Sequence, residues 1–361
     1  MGDIVAVEQI VGSNAPQRMN ALVGIPALLD EFGVKLQDAL DGIAIDPRAF
    51  DDQDYRIPYS LGGRLLERCA ALTGCSYFGL LLGSRYDHRA LGFPGEFMAN
   101  SPNLGTALTG FVSLQHSNSR GASAYLHQAG DCWVLGYGIY EPDTVGRDDI
   151  YALSVALMLN AIRSLTGGAA EPNEVLFSIK KPAEVGLYAS LLKHGDVRFE
   201  ELQTALVFPR SALNAPIQGA RPSELERLNK LAIASSPASD TVWTDRVKHA
   251  MRPLLLQGEP TSATMVAFLG VSKRTLYRHL EAEGASFQPL LDQVRYGMAR
   301  ELLTITELSI SEIADALAYS SHSHFTGAFR RWSGSTPSEW RAALRNDAEA
   351  SDESDAPPRR E

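Results

Sequence analysis

The spacing of apolar residues changes several times along the chain, and each change predicts a different kind of element. From Ala15 to about Thr109 apolar residues recur every three or four positions, which is typical of helices. One helix is expected to have Ser60 as its N-cap and Gly74 just beyond its end. An earlier helix is expected to close at Phe32-Gly33. The first hundred residues are therefore predicted to be mainly helical.

The period then changes: Trp133, Leu135, Tyr137 and Ile139 alternate onto one face, which predicts a strand. The segments from Ala122 to Gln128 and from Cys132 to Tyr140 flank a Gly130-Asp131 turn, as in a β-hairpin. A long helix is predicted from about Asp148 to Leu165, ended by Gly167-Gly168. The elements predicted after it are a strand from Glu174 to Lys180, a helix from Ala183 to Lys193, short strands between Val197 and Phe208, and a helix from Pro222 to about Ala232. Strands and helices mixed in this way indicate an α+β regulatory core.

Composition divides the chain into four parts. The clearest linker is Ser235-Ser236-Pro237-Ala238-Ser239, where serine and proline replace the periodic pattern. An acidic, proline-ended segment closes the chain and has too few apolar residues to bury, so disorder is predicted there. The predicted parts are a regulatory domain over 15–234, a linker over 235–240, an all-α domain over 241–345 and a disordered tail over 346–361.

Two copies of one helix-turn-helix unit are predicted in the all-α domain, 50 residues apart. In the first copy Ser262 precedes a short helix that ends at Leu269-Gly270, and Ser272 caps a second helix from Lys273 to Leu280. In the second copy Ser309 begins a helix from Ile310 to Leu317, a turn runs from Ala318 to Ser321, and a helix follows from His322 to Trp332. Because the caps, turns and spacing repeat together, a double helix-turn-helix fits better than two unrelated amphipathic helices with solvated charged faces.

The second helix of each copy separates residue types by face. The pairs Leu276 with Leu280 and Phe325 with Phe329 are four residues apart and would anchor each helix on its own domain. Lys273, Arg274, Tyr277 and Arg278 lie on the other faces of the first such helix. Arginine there is able to enter a major groove and donate two hydrogen bonds to guanine. The segment is therefore predicted to bind double-stranded promoter DNA.

Longer patterns make the chain resemble the AraC/XylS family of transcription regulators. In the C-terminal part these are LGVSKRTLYR from Leu269 to Arg278, IxxIAxxL from Ile310 to Leu317, FxxxFRRW from Phe325 to Trp332, and GxxPxxxR from Gly334 to Arg341. In the N-terminal part they are RIP from Arg56, FGLLLG from Phe78, SPxLGxA from Ser101 and LVFP from Leu206. The N-terminal patterns are similar to the subgroup of ornithine-utilisation and virulence regulators, which carries an arabinose-binding-like effector domain.

The resemblance implies two recognition helices, joined by a helix of about Gln288 to Leu303, that enter successive major grooves roughly 34 Å apart. It places the base-reading positions of the first unit at Arg274, Tyr277 and Arg278, and those of the second unit at His322, Ser323, Thr326 and Gly327. Lys273, Arg330 and Arg331 complete the predicted DNA contacts. The resemblance also implies an activator that contacts RNA polymerase and a small-molecule effector of unknown identity, and a homodimer is compatible with it.

Three positions depart from the family pattern. Gly327 stands where a base-reading side chain is usual, Val266 where alanine is common, and Ala318 where the turn usually has glycine. If that turn needs a positive φ, alanine costs about 1 kcal/mol. The hypothesis is that the first unit supplies most base discrimination, while the second mainly holds the DNA backbone through Arg330 and Arg331.

Charge permits this interpretation without establishing it. The whole chain carries a net charge of −10, but residues 1–239 account for −7, residues 240–345 for +1 and residues 346–361 for −4. No apolar run reaches the roughly 20 residues of a membrane span, and no signal peptide is recognisable, so a cytoplasmic protein without membrane contact is predicted.

The regulatory part offers fewer chemical clues. Tyr125, His127, Trp133 and Tyr137 on the predicted hairpin either line an effector pocket or serve as core and edge residues of a sheet. A phosphate-binding loop, a HExxH helix and a GxSxG elbow are absent from the sequence, which predicts no enzyme and no cofactor. His322 and His324 point in different directions on a helix and have no third ligand nearby in sequence, so no metal site is predicted. A first domain that only dimerises, without a ligand, remains an alternative.

Overall fold

The computed structural model describes residues 15–115, 118–141, 144–235, 243–258 and 260–354. By their internal packing these residues fall into two units, Met1–Pro253 and Leu254–Glu361. The first unit mixes strands and helices and the second is helical, which confirms the predicted α+β domain followed by an all-α domain. Among the described residues, no helix is long and apolar enough to cross a membrane.

Seven strands are described in the first unit. They are β1 (Pro16–Arg18), β2 (Arg56–Pro58), β3 (Ala122–Ala129), β4 (Cys132–Ile139), β5 (Glu174–Leu176), β6 (Val197–Arg198) and β7 (Thr204–Pro209). β1 and β2 form a small antiparallel sheet, and the other five form a sheet of order β3-β4-β7-β5-β6 in which only β5 and β6 run parallel. The hairpin of β3 and β4, with Gly130 at φ +57°, is confirmed.

The helices of the first unit are α1 (Ile25–Glu31), α2 (Leu36–Leu40), α3 (Tyr59–Thr73), α4 (Phe78–Gly83), α5 (Phe93–Asn100), α6 (Leu104–Leu114), α7 (Arg147–Thr166), α8 (Val185–Leu192) and α9 (Pro222–Ser235). Gly74 ends α3 in the left-handed region, as predicted. The predicted cap at Ser60 is wrong, because α3 begins one residue earlier and has Pro58 at its N-cap. The strands β1 and β2 also fall in the region predicted as helical, since their pairing depends on residues 40 positions apart.

The long helix α7 is the centre of the first unit, and most of its residues are buried. The helix α4 approaches it at two glycines, Gly79 and Gly83, that are four residues apart. A Cβ on Gly79 would lie 2.1 Å from the Asp149 carbonyl oxygen, and one on Gly83 would lie 2.4 Å from that of Leu153. The two glycines therefore let the helix backbones pack closely, which a larger side chain at either position would prevent.

Helix α10 (Trp243–Gln257) spans the division between the units at Pro253. Its first part packs on the first unit: the rings of Tyr140 and His249 lie 4.7 Å apart, and the Tyr140 hydroxyl donates to the His249 carbonyl oxygen at 3.3 Å. These contacts explain why the division falls later than the predicted boundary at 241. Residues 236–240 of the predicted linker lie outside the described residues.

Six helices follow in the second unit: α11 (Ser262–Leu269), α12 (Lys273–Ala282), α13 (Phe287–Ile305), α14 (Ile310–Ala316), α15 (His322–Ser333) and α16 (Pro337–Ser354). The joining helix predicted over Gln288 to Leu303 corresponds to α13. Helix α16 continues into the segment predicted as the acidic tail, whose residues 355–361 lie outside those described. The predicted disorder of that tail stays a prediction.

Candidate nucleic-acid interface and regulatory cavity

The first helix-turn-helix consists of α11 and α12 joined by a capped turn. Thr261 and Thr264 form a capping box at the start of α11, and Gly270 ends that helix at φ +65°. The Ser272 side chain then accepts a hydrogen bond from the Thr275 amide at 3.1 Å, so α12 begins at Lys273 as predicted. The turn is therefore held at both ends by local hydrogen bonds.

The second helix-turn-helix consists of α14 and α15 and repeats this design with one strained residue. Ser309 and Glu312 form its capping box, and the Ser321 hydroxyl accepts from the His324 amide to begin α15 at His322. Ala318 occupies the position of Gly270 and has φ +54°. The turn therefore requires a positive φ at this position, so the predicted cost of having alanine there applies.

A buried arginine from α13 holds the strained turn. Arg295 Nε donates to the Leu317 carbonyl oxygen at 3.0 Å, and its Nη2 donates to that of Ala318 at 2.9 Å. Its guanidinium also lies 4.4 Å from the centre of the Tyr319 ring, whose pKa burial raises to about 12. Arg295 thus satisfies two carbonyl groups that the end of α14 leaves without helical partners.

The exposed face of α12 carries the predicted DNA contacts of the first helix-turn-helix. Leu276 and Leu280 are 0% and 1% exposed and hold the helix on its own unit. Lys273, Arg274, Tyr277 and Arg278 are all exposed. The Lys273 ammonium lies 5.8 Å from the centre of the Tyr277 ring, which brings these two side chains together on one turn of the helix. A basic and aromatic surface of this kind can donate to base edges and phosphates.

The corresponding face of α15 presents a different set of side chains. Phe325 and Phe329 are fully buried, while His322, Ser323, Arg330 and Arg331 are exposed. Thr326 is only partly exposed, and its Oγ1 is buried without a hydrogen-bond partner among the described residues. Gly327 faces open space, because a Cβ added there would meet nothing within 4 Å. The basic side chains therefore lie toward the C-terminal end of this helix.

A cavity of about 130 Å³ lies inside the first unit. It is bounded by β1, α3, the hairpin, α7 and β7, and most of its wall is apolar, with Phe111, Leu135 and Met158 among the lining residues. An engineered cavity of about 150 Å³ in another protein binds benzene, so this volume suits a small molecule. The cavity is the feature of the first unit best suited to hold an effector.

The structure separates the four residues predicted to contact an effector. Tyr137 lines the cavity, whereas Trp133 lies on a separate surface groove beside Arg210. Tyr125 and His127 pair with Gly136 and Val134 and point to the opposite face of the sheet, because strand side chains alternate. Their rings stack 6.0 Å apart, and burial lowers the pKa of His127. Tyr137 is thus the one predicted residue that lies at the cavity.

Comparison with known proteins identifies both units. Residues 33–217 match the family model for the arabinose-binding domain of AraC transcription regulators, and residues 265–343 match a helix-turn-helix domain model. The chain belongs to the AraC family of transcription regulators. It is 29% identical over 324 residues to the ornithine utilization regulator of Pseudomonas aeruginosa, covering 88% of this chain and 94% of the relative.

Two further relatives match this AraC-family regulator. The transcriptional regulator VirS of Mycobacterium tuberculosis is 28% identical over 330 residues, covering 90% of this chain and 96% of VirS. The transcriptional activator NphR of a Rhodococcus species is 29% identical over 182 residues, covering 47% of this chain and 54% of NphR. These matches confirm the resemblance found in the sequence, and they are to regulators rather than to enzymes.

Sequence reasoning missed the polar residues at the cavity. Arg18, Asn118 and Ser119 line it, yet none lies in a recognisable motif. The Arg18 amide donates to the Asn118 carbonyl oxygen at 2.8 Å, a contact between residues 100 positions apart. The only local pattern that pointed toward these residues was Arg56-Ile57-Pro58. Its first residue, Arg56, stands opposite Arg18 in the small sheet.

Proposed function

We propose that this AraC-family regulator activates transcription at promoters that it recognises mainly through α12. The observation that carries the proposal is the exposed surface of Lys273, Arg274, Tyr277 and Arg278 on a helix anchored by buried leucines. NphR, which is named as a transcriptional activator, supports the direction of the effect. Contact with RNA polymerase and a homodimeric state are further parts of the proposal.

The two helix-turn-helix motifs are proposed to contribute differently to DNA binding. In α12 the arginines that can pair with guanine stand within the exposed surface, whereas α15 has Gly327 at a base-reading position and a buried Thr326 hydroxyl. Arg330 and Arg331 of α15 remain exposed and suit phosphate contacts. We therefore expect sequence specificity to come mostly from the half-site that the first helix-turn-helix occupies.

A half-site series tests this division. Arg278→Ala is expected to weaken binding by about 1–3 kcal/mol and to relax specificity in one half-site only. Arg330→Ala is the matched control, and its loss of affinity is expected to be nearly the same for every sequence, with a smaller salt dependence. Affinity against operators mutated base by base, together with footprinting, measures both. Equal base selectivity in the two half-sites would contradict the proposed division.

Control by a small molecule is the second part of the proposal. Tyr137 of β4 lines the cavity, and the next residue, Gly138, lies on the other face of that strand, where a Cβ would come 2.7 Å from Arg252 Cδ of α10. One strand thus contacts both the cavity and the helix that leads toward the second unit. A ligand regulates only if it binds the active and inactive states with different affinity, and a shift of β4 offers such a difference.

The alternative is a first unit that only dimerises. A ligand that binds the folded state raises its melting temperature, so thermal-shift screening of metabolites separates sensing from dimerisation. Ala124→Val narrows the cavity from its strand wall, and we expect it to remove the ligand-induced response of a promoter reporter while leaving basal DNA affinity intact. An unchanged response in that variant would place the effector elsewhere.

A further inference from the structure

The polar side of the cavity is built around one arginine. The Arg18 side chain is 18% exposed, and its Nη2 lies 2.8 Å from Asp54 Oδ1. Its Nε is buried and has no hydrogen-bond partner among the described residues, while Arg18 lines the cavity. One N–H of a charged guanidinium is therefore left for a ligand to accept.

Two neutral side chains beside Arg18 each have an oxygen atom without a hydrogen-bond partner among the described residues. Asn118 and Ser119 are 9% and 8% exposed, and both line the cavity. The Asn118 Nδ2 donates to the Leu91 carbonyl oxygen at 2.9 Å, but its Oδ1 and the Ser119 Oγ have no partner in the described part of the chain. The Arg18 backbone amide bonds to Asn118, and Gln17 forms a bridge with Ser119, so these groups stand together. Buried polar atoms without partners are costly, and a ligand that pairs with them removes that cost.

Positive charge is concentrated at the same place. Arg18 stands directly opposite Arg56 in the register of β1 and β2, and the Arg120 amide donates to the Pro16 carbonyl oxygen at 3.1 Å. Like charges directly opposite on a sheet destabilise it. Burial first, and then the charges of Arg18 and Arg120, lower the pKa of Arg56, which Asp54 opposes. The carboxylate of Asp54 is mostly exposed, so a second anion at this place would be stabilising.

The rest of the wall limits what the ligand can be. Apart from Arg18, the described lining residues are apolar or neutral, and none of them is aspartate or glutamate. A ligand ammonium group placed there would lose its water without gaining a countercharge, which is unfavourable. The volume of about 130 Å³ admits a small apolar body beside the polar groups.

From these observations we infer that the cavity binds a small organic monocarboxylate, with its carboxylate at Arg18 and Ser119 and its apolar body against Phe111, Leu135 and Met158. This inference rests on the proposed sensing function. It also predicts that this regulator does not bind ornithine, the compound for which its relative in Pseudomonas aeruginosa is named. Ornithine carries two ammonium groups, and the described lining of the cavity has no acidic side chain.

The test compares acids with their own amides on the full-length protein. The probes are 3-methylbutanoate and phenylacetate, their amides, and ornithine, at equal concentration and ionic strength. Thermal shift and calorimetry measure binding. We expect the acids to raise the melting temperature and the amides and ornithine to leave it unchanged. Arg18→Gln should weaken acid binding about tenfold or more, and Ser119→Ala, which disturbs the fold less, should weaken it by a smaller factor.

Arg163→Gln is the matched control for Arg18→Gln. Arg163 has the same side-chain exposure of 18% and the same kind of partner, Glu171, but lies away from the cavity, so acid binding should persist in this variant. Equal binding of acid and amide, or binding of ornithine instead, would overturn the carboxylate assignment and leave sensing intact. If no probe binds, the assignment also falls. If, in addition, Ala124→Val leaves every ligand response of a promoter reporter unchanged, the proposed sensing at this cavity falls with it.

Discussion

Replacing Ala318 by glycine is expected to stabilise the second helix-turn-helix. Ala318 has φ +54°, where an L-residue with a Cβ costs roughly 1–2 kcal/mol. Glycine removes this cost but makes the unfolded chain more flexible, which offsets about 0.4–1 kcal/mol. The expected gain in the free energy of unfolding is therefore about 0.5–1 kcal/mol. Arg295 donates its hydrogen bonds to backbone carbonyl oxygens of the turn, so these bonds are kept in the variant.

The first helix-turn-helix allows the reverse substitution as a control. Gly270 occupies the matching turn position at φ +65°, and a Cβ added there would meet nothing within 4 Å. Gly270→Ala therefore introduces backbone strain without a steric clash. It is expected to destabilise the first helix-turn-helix by about 1 kcal/mol. The pair of variants applies the same chemical change in opposite directions to two copies of one motif.

Hydrogen exchange followed by mass spectrometry on the full-length protein distinguishes the two copies. Ala318→Gly should slow exchange across Ile310–Ala316 and His322–Ser333 by about two- to fivefold if local opening controls it, and should leave Lys273–Ala282 unchanged. Gly270→Ala should speed exchange in Ser262–Leu269 and Lys273–Ala282 alone. Faster exchange around Ala318 in the glycine variant would refute the argument, because it would show that the methyl group stabilises the turn.

Three further outcomes are expected. Gly327→Arg should tighten DNA binding, because it adds a guanidinium to the exposed face of α15. Gly327→Ala is the control in the same affinity assay, since it improves helix propensity by about 1 kcal/mol without adding a contact. Arg295→Met should destabilise the second unit by about 2–4 kcal/mol in urea unfolding, since two turn carbonyl groups lose a charged donor. Burial raises the pKa of Asp149 from 3.8 to about 7, so its neutral form stabilises the fold fully below pH about 4 and this contribution is lost as the pH rises to about 7. Asp149→Asn should therefore flatten the fall of melting temperature between pH 4 and 7 and raise stability at pH 8 by up to about 4 kcal/mol. A parallel pH profile in the variant would show that Asp149 is ionised in the folded protein.

Most of the DNA-binding unit was predictable because its signals are local. The caps at Ser272 and Ser309, the helix end at Gly270 and the buried pairs at four-residue spacing all depend on residues within one or two helical turns. The sequence also predicted that Ala318 would be costly if its turn had a positive φ, and the turn does have one. What the sequence left open was exposure, and the buried hydroxyl of Thr326 is the example.

The regulatory unit followed the sequence in its elements but not in its site. Alternation along the hairpin predicted β3 and β4 correctly, yet the face on which a cavity forms depends on what packs against each side of the sheet. The grouping of Arg18 with Asn118 and Ser119, the pairing of Arg18 with Arg56 and the contact of Gly79 with α7 join segments far apart in the chain. Local hydrogen bonds and side-chain periodicity act over a few residues and can be read from the sequence. A cavity arises where distant elements fail to fill the space between them, so only the tertiary structure decides its position and its chemistry.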